Sequence, residues 1–223
     1  MPREIHARSC ANCPSAERTG IATVRRREGS ADMTEKQKML AGLPFDPDDA
    51  EIAFDRTRAR DLSFELCETR ISDNDGMRSV YAELLPNCPE IFWIPAPFHC
   101  ELGYNIRTGS RFVGNYDLRI IDYAPVSFGN HVYIGPRCLI DTRVQPDTLD
   151  EARRGLIRAR PVSIGDSVWF GSAVTVCAGV SIGRGCVIGA GSIVKSDIPD
   201  DCFAAGNPAR VIRSLDIDEK LWR

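Results

Sequence analysis

The chain reads as a mainly β protein, a parallel β-helix of hexapeptide repeats behind a small N-terminal helical cap. Three observations predict it. Ile164, Phe170, Val176, Ile182, Ile188 and Val194 fall six residues apart without a slip, and Val162, Val168, Val174 and Val180 keep the same step before Cys186 and Ser192. Ten of these twelve positions are aliphatic or aromatic, too regular for chance spacing. An α-helix needs a period near 3.6 and a half-buried strand a period of 2. A sustained period of six fits neither as one long element. It fits a solenoid whose coils turn one side chain inward at each repeated position. Next, Gly165, Gly171, Gly183 and Gly189 each follow a first-row residue, as tight corners require. Finally, Phe128-Gly129, Ile134-Gly135 and Ile140-Asp141 run in the same phase beside Val126, Val132 and Cys138. Stacked coils of this kind bury a continuous aliphatic core.

Residues 1–33 are polar and are expected to be a disordered tail, or an extension ahead of a start at Met33. Glu4, Glu17, Glu28 and Asp32 argue against a mitochondrial leader despite Arg25-Arg26-Arg27, which leaves recruitment of an acidic partner as the functional alternative. Cys10-Ala-Asn-Cys13 has zinc-ligand spacing, but no second pair or His cluster follows, so no metal is expected. Residues 34–95 read as the cap. Thr34 and Gln37 form a capping-box pattern ahead of Met39, Leu40 and Leu43, and Pro44 is expected to stop that helix. A second helix is expected from Asp48 to Leu66 and a third over residues 77–85. Repeat folds need such caps at exposed ends. Coils are expected over 96–215, clearest from about Cys100, with His99 ahead of them and a short tail at 216–223. One charged stretch, 141–161, breaks the pattern. Ile140 and Ile164 are nonetheless 24 residues apart, a multiple of six, so the coil can close while this segment loops outward. Extruded loops on packed scaffolds tend to carry function.

At 223 residues the chain allows one large domain, or one with a small appendage. A net charge of -3 gives no basic footprint for nucleic acid. No apolar run reaches the roughly 18 residues of a membrane span, and the N-terminus lacks a signal-peptide core. Among nine cysteines, Cys138, Cys177 and Cys186 fall at or beside core positions, where Cys acts as a small hydrophobe. A reduced, cytoplasmic chain is expected.

Five segments carry a family resemblance: MLAGLPFD at 39–46, PFHCELGYNI at 97–106, NYDLRIID at 115–122, VSIGDSVWFGS at 162–172 and VIGAGSIVKSDIPDDCFAAGNPARVIR at 187–213. Across residues 34–215 the chain resembles the hexapeptide-repeat acyltransferases, in particular the maltose and galactoside O-acetyltransferase group. The resemblance implies a left-handed β-helix, a homotrimer, and acetyl-CoA as cosubstrate in grooves between subunits. It also implies a small-molecule hydroxyl acceptor and direct transfer without metal. On the acceptor side it points to Asp46, Tyr104, Asn115 and Asp122, with Asn115 also near the thioester as a stabiliser of the tetrahedral intermediate. Tyr104 stands where the galactoside branch often has Ser. On the cofactor side it points to Trp169, Ser172, Ala190, Lys195, Ser196, Arg210 and Arg213. Lys195-Ser196 stands where the family usually has Thr-Lys. Read from the residues alone, Asn115 and Asp122 are equally good turn formers, Trp169 suits a subunit contact, and Arg210 and Arg213 suit a solvated end.

One departure bears on the chemistry. The family carries its general base in the extruded loop as a His followed by Pro, and here the matching pair is Gln145-Pro146. Gln cannot take a proton as imidazole does. The chain has only His6, His99 and His131, none of them beyond position 131, and His131 reads as a surface corner residue. Asp141 and Asp147 are the nearest loop candidates for a substitute carboxylate base. Three functions follow: an O-acetyltransferase with Gln145 in the His position, a catalytically impaired acyl-CoA-binding or assembly protein, or an acyltransferase for an amine or secondary metabolite.

Overall fold

In the computed structural model, residues 33–88 and 92–215 are described, all within one compact unit. The expectations for the N-terminal tail, its Cys10 and Cys13, and the 216–223 tail lie outside the described residues. Helix α1 (Glu35–Leu40) starts on the expected capping box, with the Thr34 hydroxyl accepting from the Gln37 N–H. It ends earlier than Pro44, because Gly42 adopts φ +69° and turns the chain. Of its expected apolar face only Met39 is buried; Leu40 and Leu43 are exposed. Helix α2 (Ala50–Glu68) is capped by Asp49, and α3 (Asn74–Leu84) begins three residues before the expected position, where the Asp73 carboxylate accepts from the Gly76 N–H. The inner faces of α2 and α3 join the solenoid core through Leu62, Leu66, Val80 and Leu84.

The rest is a parallel β-solenoid with three sheets. A four-stranded sheet holds Ile106–Arg107, Val126–Phe128, Val162–Ile164 and Ser181–Ile182. A seven-stranded sheet runs from Phe92–Trp93 through Phe112–Val113, Tyr133–Ile134, Trp169–Phe170, Val187–Ile188 and Cys202–Gly206 to the antiparallel Ala209–Ser214. A five-stranded sheet holds Phe98–Cys100, Leu118–Ile121, Leu139–Asp141, Thr175–Val176 and Ile193–Val194. Three hexads make one coil, so partners lie eighteen residues apart, as in Ile164 with Ile182 and Phe170 with Ile188. Strands begin at Phe92, ahead of the expected start, and His99 lies within the coils, opposite Arg119. Across the loop, Ile140 pairs with Val176 and Phe128 with Ile164, so the insertion leaves the register intact.

Each coil turns three corners: from the four- to the seven-stranded sheet, from the seven- to the five-stranded sheet, and back to the four-stranded sheet. The corner glycines serve a purpose other than the one expected. Gly165, Gly171 and Gly183 are not in the left-handed region; a Cβ on them would meet the next coil's backbone, at 2.5 Å from the Ala190 nitrogen in the case of Gly171. The positive φ falls two residues later, at His131, Arg137, Ser167 and Ala173 and at Gly185 and Gly191. Inside, Ser192 breaks the aliphatic row because its hydroxyl donates to the Gly189 carbonyl and accepts from the Gly206 N–H.

The loop does not simply swing outward. Arg143–Val144 pairs antiparallel with Arg158–Ala159, and between them a short helix, α4 (Leu149–Arg153), is capped by Thr148. Ile157 exchanges two backbone hydrogen bonds with Phe45 of the cap, both 3.0 Å. Phe45, Met39, Ile52, Leu102, Tyr123 and Ala159 then form a second hydrophobic cluster that ties cap, loop and third corner together.

The corner geometry makes a paired prediction. Gly171→Ala should destabilise the protein by about 1–3 kcal/mol through overpacking. Ala173→Gly, which relieves a left-handed Ala, should change stability by less than about 1 kcal/mol in either direction. Thermal melts of both variants check this, and equal losses contradict it.

Candidate active site

The sequence-predicted residues sort onto two corners of the prism. At the second corner, Asn115 follows the strand Phe112–Val113. Its amide Nδ2 donates to the Tyr133 hydroxyl (3.2 Å), and its Oδ1 accepts from the Tyr116 N–H (2.9 Å). Trp169, on the adjoining sheet face, stacks on Tyr133 with centroids 3.9 Å apart and planes 20° from parallel. Ser172 and Ala190 lie on successive coils of the same corner, joined by the hydrogen bond from the Gly191 N–H to the Ser172 carbonyl (2.9 Å). Gly189 on this edge must be small, since a Cβ there would approach that of Ala205 to 2.9 Å. At the far end of this edge Arg210 pairs in register with Ala205, and Arg213 with Phe203, both residues being exposed.

The third corner carries the other set. Tyr104 is half-buried, its hydroxyl donating to Asp55 of α2 (2.9 Å) beneath Lys36, whose ammonium lies 5.3 Å from the ring centroid. Lys36 is itself paired with Asp55 (2.7 Å) and Glu51 (3.1 Å). Hydrogen bonding to Asp55 holds the ammonium above its ordinary range, while burial, then Asp55, pushes the Tyr104 hydroxyl far up. Asp46 is exposed beside the loop contact, its carboxylate accepting from the Asp48 N–H (2.9 Å). Gln145 is exposed just beyond Val144 in the loop stem. Lys195 and Ser196 are exposed after the strand Ile193–Val194, next to Cys177, whose N–H donates to the Val194 carbonyl.

Asp122 differs from the expectation of an acceptor contact. It is fully buried, and its carboxylate accepts from the N–H groups of Glu101 (3.0 Å), Leu102 (2.8 Å) and Gly103 (2.7 Å). It therefore shapes the turn that carries Tyr104 from behind. Burial pushes its carboxyl up to about 6 against the pull of those N–H groups. The two loop carboxylates are also committed. Asp141 is gripped by the Arg143 guanidinium (Nη2 at 2.8 Å, Nε at 3.0 Å), and Asp147 by Arg158 (2.6 Å), which also holds Glu151 (2.6 Å). His131 is exposed in a left-handed corner position, and His99 faces outward from the five-stranded sheet.

Sequence reasoning missed Tyr133, Asp55 and Lys36. Tyr133 was within reach: it holds the outward position between Val132 and Ile134, as Trp169 does between Val168 and Phe170. Asp55 and Lys36 join the site only through the packing of the cap on the corner, which no local spacing encodes.

Known proteins share this arrangement of cap and coils. The maltose acetyltransferase hexapeptide capping motif matches residues 38–89, and the hexapeptide repeat of succinyl-transferase matches residues 161–196. The galactoside O-acetyltransferase of Escherichia coli (strain K12) is 35% identical over 165 residues, which are 74% of this chain and 81% of that protein. The crystal structure of a maltose O-acetyltransferase from Clostridium difficile 630 superposes with a TM-score of 0.79 at 33% identity, over 82% of this chain and 98% of that one. A hexapeptide-repeat-containing acetyltransferase from Vibrio cholerae O1 biovar eltor, complexed with acetyl coenzyme A, gives 0.74 at 34% identity, over 82% and 100%. The chain belongs to the hexapeptide-repeat acetyltransferases of the maltose and galactoside O-acetyltransferase type.

The buried carboxyl yields a pH prediction. Asp122 titrates near 6 when folded and near its ordinary value of about 3.9 when unfolded. The folded state holds the extra proton in that window, and the stability it confers is lost as pH rises through about 6. Asp122→Asn, neutral throughout, should gain about 2–3 kcal/mol relative to the natural chain between pH 4 and pH 7. Denaturant titrations at the two pH values check this, and a difference that does not move with pH contradicts it.

Proposed function

We propose that this chain is an acetyl-CoA-dependent O-acetyltransferase that works as a homotrimer and modifies a sugar or another small compound bearing a hydroxyl group. The observation that carries the proposal is the split of the candidate residues between two corners of one prism. A cyclic assembly repeats a single contact and sets the third corner of one copy against the second corner of the next. The outward columns favour such contacts. On the seven-stranded sheet the column is Trp93, Val113, Tyr133, Trp169, Val187 and Phe203. On the four-stranded sheet it is Arg107, Ser127, Ser163 and Ser181, suited to water.

In this reading the small-residue channel past Ser172 and Ala190 admits the pantetheine arm, whose amides pair with coil backbone. Arg210 and Arg213 meet the nucleotide phosphates with their planar donor forks. Lys195 and Ser196 approach the same channel from the neighbouring copy. Asn115 donates an amide N–H to the thioester carbonyl oxygen, where negative charge develops on attack. Asp46 and Tyr104 hold the acceptor, and Asp122 fixes the turn behind Tyr104. The acceptor oxygen bonds to the acetyl carbon, the carbon–sulfur bond breaks, and the acceptor proton leaves toward the departing thiolate. The Gln145 amide oxygen can accept the acceptor O–H and orient it, but it cannot remove the proton.

Gln145, together with the arginines on Asp141 and Asp147, favours a second reading as well: a binding or assembly protein on the same scaffold with little turnover. The acetyltransferase reading and the acyl-CoA-binding form of the second reading require an intact acyl-CoA groove. Calorimetric titration should show acetyl-CoA binding that weakens about tenfold or more in Arg210→Ala, the loss expected for hydrogen bonds to a charged group. No binding by the folded protein sinks both and leaves the assembly role. Gln145→His should then raise hydroxyl-dependent release of free CoA on the order of 10²-fold or more, as a restored general base does. An unchanged rate beside robust wild-type turnover rules out the binding-protein reading and any need for a loop base.

A further inference from the structure

The bond from the Tyr116 N–H settles which way the Asn115 amide faces. A backbone N–H can only donate, so the atom facing the Tyr116 N–H at 2.9 Å must be Oδ1. The amide nitrogen therefore faces Tyr133 and donates to its hydroxyl oxygen at 3.2 Å. One of the two amide N–H donors is used there, which leaves the other for a ligand. The same Tyr133 ring lies flat against Trp169, 3.9 Å between centroids. Aromatic pairs contribute roughly 0.5–1.5 kcal/mol beyond area burial, and the contact restricts both rings. Register makes the arrangement rigid: Tyr133 pairs with Val113 on one side and Trp169 on the other, so all three lie on adjacent rungs of one sheet.

We propose that Tyr133 is the positioning residue of the acyl site, with its hydroxyl aiming the Asn115 amide at the thioester carbonyl and its ring holding Trp169 against the acyl-CoA groove. The inference rests on the acetyltransferase reading, in which Asn115 faces the thioester. Its two parts are separable. Tyr133→Phe keeps the ring and loses only the anchor of the amide, whereas Tyr133→Leu loses the stack.

The test compares calorimetric affinities for acetyl-CoA and for CoA, which lacks the carbonyl; neither measurement needs the acceptor. Tyr133→Phe should weaken acetyl-CoA binding about five- to tenfold, the worth of one hydrogen bond, and leave CoA binding unchanged. Asn115→Ala should reproduce that selective loss, which keeps the test open if the Tyr133 variant folds poorly. Tyr133→Leu should weaken both ligands. Tyr133→Phe and Asn115→Ala variants that bind both ligands as the natural chain does, or that weaken both equally, overturn the proposal while the acetyltransferase reading stands. A natural chain that binds neither ligand overturns that reading and the proposal with it.

Discussion

Everything in this molecule depends on how closely one coil can lie on the next. Parallel strands of two or three residues carry few hydrogen bonds each, and the stack holds only if backbone meets backbone at every corner. Gly165, Gly171 and Gly183 make that approach possible, since any Cβ there would sit within 3 Å of the adjacent coil. With the spacing fixed, each inward residue rests on its counterpart one coil away. The fully buried Val168, Phe170, Val174, Val176 and Ile188 then exclude water. The loop is tolerated for the same reason: it leaves the five-stranded sheet after Asp141 and returns to the four-stranded sheet at Val162, where the coil turns its third corner, so no inward side chain changes its partner.

That constraint also dictates the form of the site. In a three-sided coil, residues a few positions apart occupy different corners, while residues a full coil apart lie side by side. Asn115, Tyr133, Trp169, Ser172 and Ala190 collect at one edge although they span much of the chain. Tyr104, Asp122, Gln145 and Lys195 collect at another. A rigid prism cannot fold one edge onto the other, so in the proposed homotrimer a second copy completes what one chain begins. The cap and loop then act as walls, joined by the Phe45–Ile157 backbone pair and the cluster around Tyr123.

Much of this could be read directly from the sequence. A six-residue step has few physical solutions, and a stack of coils with one inward residue at each step is the one that fits. Phase continuity from Ile140 to Ile164 already implied that the loop would leave the coil undisturbed. Other features depended on contacts distant in sequence. The corner glycines suggested left-handed turns by composition, but the left-handed positions lie two residues later and are held by residues such as Ser167 and Ala173. Asp122 reads as an acceptor contact from its matching position, but it is fully buried, and its three N–H partners are some twenty residues upstream. The pairing of Asp141 and Asp147 with arginines was equally hidden, because a loop's charge content says nothing about which charges meet. Tyr133 was visible in phase but carries no motif.

The central claim is that the acyl-CoA groove is shared between copies, and co-assembly of two defective chains tests it most directly. Ala190→Trp fills the channel at the second corner, and Lys195→Glu with Ser196→Trp spoils the wall contributed by the third. Each variant alone should bind acetyl-CoA poorly. Assembled together at random, they should recover binding in roughly a quarter of the sites, the fraction in which a cyclic oligomer joins the intact edge of each. Mixed assemblies that bind no better than either variant alone would place the whole groove within one chain and contradict the account.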